Sequence, residues 1–133
     1  MQLLSSEHII TVTKTGAKIN TPIILYRGDK NIEVKILVRN NPFTCNTPNS
    51  FAQLIIYNTE TYIPTFSDIT PYIDNTASFI FEENMLDDLQ ELGVYKIQLR
   101  IYDHDKQSVA TLPEITQALE VREPIGMEEE YKC

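Results

Sequence analysis

Residues 82–103 read Glu-Glu-Asn-Met-Leu-Asp-Asp-Leu-Gln-Glu-Leu-Gly-Val-Tyr-Lys-Ile-Gln-Leu-Arg-Ile-Tyr-Asp, and the change of period inside this stretch decides the fold. Met85, Leu89 and Leu92 stand three or four apart, with Leu86 beside them, so the spacing predicts a short helix over about 84–92. Asn84 is placed to cap it, and Asp87 and Asp88 put negative charge near its positive end. Gly93 stands where a left-handed residue would stop the helix. From there the period drops from about 3.6 to about 2. Tyr95, Ile97, Leu99 and Ile101 point one way, and Lys96, Gln98, Arg100 and Tyr102 point the other, the pattern of a half-buried antiparallel strand.

The same alternation recurs on both sides of this stretch. Residues 32–39 place Ile32, Val34, Ile36 and Val38 on one face. Residues 51–57 are apolar on both faces, which marks a central strand. Residues 76–81 turn Ala77, Phe79 and Phe81 inward. Residues 8–14 and 23–26 predict shorter strands, and residues 108–121 predict a closing strand broken or bulged at Pro113. The Asn/Thr/Pro-rich residues 40–50 read as a loop, and residues 59–71, with two prolines and poor periodicity, as a long connection with room for an edge strand near Tyr62-Ile63. The sum is seven or eight short strands with turn signals between them. That predicts an all-β fold, an antiparallel β-sandwich with one short helix. One domain over 1–123 is expected, followed by an acidic tail or linker over 124–133 that contains Glu128-Glu129-Glu130.

Composition limits the functions open to such a fold. The chain has 133 residues, 42% hydrophobic and 23% charged, enough for one packed core. Its net charge of −8, with basic residues scattered, argues against nucleic acid and against acidic membrane surfaces. No stretch approaches the ~20 apolar residues of a membrane span, and the first residues lack the basic start of a secretory signal. Cys45 and Cys133 read as unpaired thiols of a reducing compartment. Four glycines leave no phosphate-binding loop, and no serine sits in a nucleophile elbow. Asp103-His104-Asp105 is the one carboxylate–imidazole cluster, and it reads as a solvated turn rather than a metal or hydrolytic site. Asp87, Asp88 and Glu91 fit a solvated helix face better than a calcium site, and Arg27-Gly28-Asp29 fits a turn between strands better than an adhesive motif. No enzyme, cofactor or metal is expected. The residues left for an interface are Tyr57, Tyr62, Tyr72, Arg100 and Tyr102, because aromatic rings give large contact area at low entropic cost and arginine is enriched among the residues that dominate binding.

Several of these segments together resemble one family, the N-terminal domain of phage baseplate upper proteins, found mainly in phages of Gram-positive bacteria. The likeness is carried by Tyr26-Arg27-Gly28-Asp29 before an alternating strand, Phe79-Ile80-Phe81, and the helical stretch ending at Leu92-Gly93. It continues through the alternating residues 94–103, a polar turn, and the closing Glu120-Val121-Arg122-Glu123. Residues 41–50 and 59–71 are longer than the family's pattern, so contacts made there do not carry over. The resemblance implies an immunoglobulin-like β-sandwich in the virion that anchors receptor-binding proteins or fibres. Its partners would be other virion subunits and further copies of itself, and it brings no catalytic residues. A capsid head fibre or decoration protein is the nearest rival, and a carbohydrate-binding adhesin sandwich using the tyrosines is a third reading.

Overall fold

A computed structural model of the chain describes residues 4–40, 50–58, 64–82, 92–103 and 107–123. They form β1 (Leu4–Val12), β2 (Ala17–Ile19), β3 (Ile23–Tyr26), β4 (Ile32–Arg39) and β5 (Ser50–Asn58). β6 (Pro64–Ile73), β7 (Thr76–Phe81), β8 (Gly93–Asp103), β9 (Ser108–Thr111) and β10 (Ile115–Arg122) follow. The ladder runs β2-β1-β4-β7-β6-β5-β8-β10-β3, with β9 paired to β8.

The sheet is curled, and β6 is the strand that bends it. Residues 64–71 of β6 pair with β5, while Tyr72 and Ile73 pair with Ala77 and Thr76 of β7. Asp74 and Asn75 make the tight turn between β6 and β7, both with positive φ (53° and 60°). That is the backbone a two-residue hairpin requires, and Asp and Asn tolerate it better than most residues. The first strand of the ladder, β2, comes round to meet β10, the last but one. Side chains from both halves of the curl meet in one core: Val34, Ile36 and Val38 of β4, Ala77, Phe79 and Phe81 of β7, Ala52, Leu54 and Ile56 of β5, and Tyr95, Ile97, Leu99 and Ile101 of β8. Fully burying each aliphatic or aromatic side chain contributes about 1.5–3 kcal/mol, so this shared interior is what holds the two halves together.

The β8 reading therefore holds, with its apolar row buried. So do the central position of β5 between β6 and β8 and the inward alternation of β7. Other expectations are corrected. The sheet is mixed rather than antiparallel: β1 runs parallel to β4, and β10 runs parallel to β3. Side-chain alternation has the same period in both kinds of ladder, so it could not distinguish them. Ten strands are present among the described residues rather than seven or eight. The surplus includes β6, where a connection was expected. Its prolines stand at its first residue and at Pro71, beside the switch from one neighbour to the other, positions where a missing N–H costs the ladder little. The predicted helix over 84–92 falls almost wholly outside the described residues. Its last residue, Leu92, is 46% exposed rather than buried on an apolar face.

Candidate interaction surface

The outer side of β6, β5, β8 and β9 gathers three of the five residues expected at an interface. Cross-strand pairing puts Gln53 opposite Arg100, Tyr57 opposite Lys96, and Phe51 opposite Tyr102. On the other flank of β8, Arg100 faces Thr111 and Tyr102 faces Val109. Polar side chains are tied to one another across these strands. Gln53 Nε2 donates to Ser67 Oγ at 2.8 Å, and the Tyr102 hydroxyl donates to Gln53 Oε1 at 2.7 Å. The Tyr57 hydroxyl donates to Gln98 Oε1 at 3.1 Å, and Gln98 Nε2 donates to the Leu112 carbonyl at 3.0 Å. Arg100 Nε donates to Thr111 Oγ1 at 3.2 Å, and its guanidinium lies 5.6 Å from the Tyr102 ring centre. Lys96 is nearly covered and reaches Glu114 at 3.5 Å. Around this fixed polar ladder stand Ile69, Ile73 and Val109, exposed to 54%, 59% and 50%.

Of the other two expected interface residues, one is buried and one lies outside the described residues. Tyr72 is fully buried, because β6 turns its even-numbered residues inward where it joins β7, and its hydroxyl reaches Asn75 Oδ1 at 3.3 Å. Tyr62 lies outside the described residues, as do His104, Asp105, Cys45 and Cys133. Gln53, Gln98, Ile69 and Val109 were not singled out from the sequence. The signal for Gln53 and Gln98 was present, since each sits one position out of phase with the buried row of its strand.

The other motifs are used within the fold. Asp29 Oδ2 accepts the Tyr26 backbone N–H at 2.9 Å, and Arg27 forms an ion pair with Glu123. The Arg27 backbone N–H also donates to the Arg122 carbonyl at 2.9 Å. Arg27-Gly28-Asp29 is thus a turn that clamps the end of β10, with Gly28 at φ 96°. Asp103, expected in a solvated turn, is instead buried at the end of β8. His8 is buried as well. Its Nδ1 lies 3.0 Å from the Thr21 carbonyl and its Nε2 lies 2.9 Å from Ser6 Oγ. A carbonyl only accepts, so Nδ1 donates there, which ties β1 to the connection between β2 and β3. A half-open groove of about 360 Å³ opens beside it, with Ile9 and Leu37 as apolar lining and Glu7, Asn20, Lys35 and Thr76 as polar lining. Burial raises the Asp68 carboxyl above its ordinary value; a backbone hydrogen bond from Ile69 opposes this, and Glu82 adds to it. No group of three or more potential metal ligands occurs among the described residues. No helix among them is long and apolar enough to cross a membrane.

The geometry is that of an all-β module whose most developed feature is a surface rather than a cleft. No protein-family model and no curated protein matches the chain. Among solved structures it is similar to the N-terminal domain of phage TP901-1 ORF48, with a TM-score of 0.59 at 14% identity. The match covers 90% of this chain and 99% of that one, so the chain shares the fold of a phage protein domain along nearly its whole length.

Proposed function

We propose that this chain is a non-enzymatic structural protein of a phage particle, an anchoring module of a baseplate or fibre that attaches receptor-binding proteins to the virion. The observation that carries the reading is the fold shared with the phage TP901-1 ORF48 N-terminal domain over almost the full length of both. The finer assignment to a baseplate or fibre anchor rests on the resemblance of residues 26–29, 79–81 and 92–103 to baseplate upper proteins. On this reading the curled sheet is a variant of the immunoglobulin-like sandwich, its halves closed over one core. Its partners are other virion subunits and further copies of itself, with no cofactor, nucleic acid or membrane in its work. The tyrosine platform of a sugar-binding sandwich is weakened, because Tyr72 is buried and the hydroxyls of Tyr57 and Tyr102 are engaged by glutamines. An enzyme built on Asp103 would need that carboxylate in an open site, and it is buried.

The test is immunogold electron microscopy of purified phage particles with antibody raised against this chain. Label at the tail tip supports the proposal. Label on the head moves the assignment to a head fibre or decoration protein. Particles that carry none of the chain overturn the virion reading.

A further inference from the structure

We infer that the open edge of β1 at Ser5 and Glu7 is a strand-addition site, which takes an extended segment of a neighbouring subunit with a basic residue opposite Glu7. The inference rests on the reading of the chain as an assembly module and names the kind of partner it takes up. Main-chain geometry and charge carry it.

β1 pairs with β4 from Leu4 to Thr11, but β2 pairs with β1 only from Ile10 to Val12. Asn20 ends that short ladder. Its backbone N–H donates to the Ile9 carbonyl at 2.9 Å, and its Oδ1 accepts the Ile9 N–H at 2.8 Å. The main-chain groups of Ile9 therefore point away from β4. Along a strand these groups alternate from side to side, so those of Ser5 and Glu7 point the same way as those of Ile9. Among the described residues nothing pairs with them there.

The edge thus offers two donors and two acceptors on a run that β4 already holds extended. Only the incoming segment has to be ordered when a strand is added. Native sheets blunt such edges with proline, lysine or a bulge. Leu4-Ser5-Ser6-Glu7-His8 contains neither proline nor lysine, and its register with β4 is unbroken. Main-chain bonds give an added strand its affinity, and its alternate side chains give specificity.

Glu7 supplies that specificity. Its side chain is exposed, whereas that of His8 is buried on the other side of the strand. Glu7 makes no ion pair among the described residues; Lys35, across the ladder from it, reaches Glu33 instead, at 3.9 Å. A residue of the added strand opposite Glu7 has its Cβ about 5 Å away, where a lysine or arginine is favoured and an acid is not. Glu7 also lines the half-open groove that holds Ile9 and Leu37, an apolar surface for the stem of a long basic side chain. The same edge of a second copy brings another Glu7, which disfavours self-pairing.

The experiment is amide hydrogen exchange and chemical-shift mapping of the whole chain by NMR. In the free chain, the Ser5 and Glu7 amides should exchange faster than those of Ser6 and His8, which face β4. The probe is the capped peptide acetyl-Thr-Val-Thr-Lys-Thr-Val-Thr-amide, whose palindromic order serves either strand direction. At up to about 5 mM, where weak binding registers, it should shift the Ser5 and Glu7 amides and slow their exchange several-fold. N-methylation of its lysine and both valines removes the donors on the edge that meets β1 but keeps the charge, and should abolish the effect. Glu7→Lys should lose the response to this peptide and gain one to the peptide with glutamate at the centre. Four results overturn the inference: Ser5 and Glu7 as protected as Ser6 and His8 in the free chain, no response to the peptide, a response that survives N-methylation, or one indifferent to the charge at either position. Protection that rises with protein concentration alone overturns it too, in favour of self-pairing. None of these results touches the virion assignment, which fails only if particles lack the chain.

Discussion

Leu99 and Arg100 are neighbours in sequence and opposites in environment: one is buried in the shared core, the other lies on the outer face. Leu99→Asp would bury an unpaired carboxylate at a cost of several kcal/mol, comparable with the 5–15 kcal/mol that holds a domain together. Arg100→Asp forfeits a hydrogen bond and a ring contact, together about 1 kcal/mol. Thermal unfolding should find no cooperative transition for the first and a near-native one for the second; equal midpoints would mean the faces are wrongly assigned. Gly93 opens β8 at φ 134°, with no atom close enough to obstruct a side chain. Gly93→Val should therefore cost about 1 kcal/mol or more through backbone strain alone, read from denaturant midpoints.

Asp68 gives a prediction in pH. Desolvation raises its carboxyl above the ordinary 3.8, so the folded chain holds that proton more tightly than the unfolded one. Stability from this group thus falls as pH rises from the ordinary value through the raised one, and the penalty is complete above it. Asp68→Asn should raise the melting temperature at neutral pH, and the gain should fade as pH drops to about 4. A gain that stays constant across that range would exclude this cause.

At the scale of elements, the β5–β8 pairing is braced outside as well as inside. Gln53 and Tyr102 share a hydrogen bond that links β8 through β5 to Ser67 of β6. A double-mutant cycle with Gln53→Ala and Tyr102→Phe should give a coupling energy of about 0.5–1.5 kcal/mol, the net worth of such a bond. Additive losses would show that the ladder is not cooperative. The strands with a continuous apolar row, β4, β5, β7 and β8, could be read from the sequence because burial of one face imposes alternation on it. β6 could not. Its outward row includes Ile69 and Ile73 while its inward row includes Asp68 and Thr70, the reverse of the pattern that betrays a strand. Tyr72 was misplaced for the same reason. Of the outer face, the outward placement of Tyr57, Arg100 and Tyr102 was legible from their phase on β5 and β8, whereas Ile69 and Val109 lie on strands too irregular or too short to announce a phase.

For the whole molecule, the parallel pairs dominate the logic of assembly. β3 precedes β10 by about 96 residues, yet Ile23 pairs with Leu119 and Tyr26 with Arg122. No local hairpin can nucleate such a pairing. Refolding should therefore be slow for a domain of this size, in the millisecond-to-second range of non-local β folds, when followed by tyrosine fluorescence after denaturant dilution. Microsecond refolding would contradict the topology.

The clamp around the end of β10 has a mechanical consequence. β10 is gripped on one side by β8 and on the other by β3, and Arg27 holds the residue that follows it. A tug on the chain beyond Glu123, directed along the strand, would have to slide β10 lengthwise past both neighbours, straining many backbone bonds at once. Peeling would break them one after another. This is the geometry of a tether that resists being pulled out.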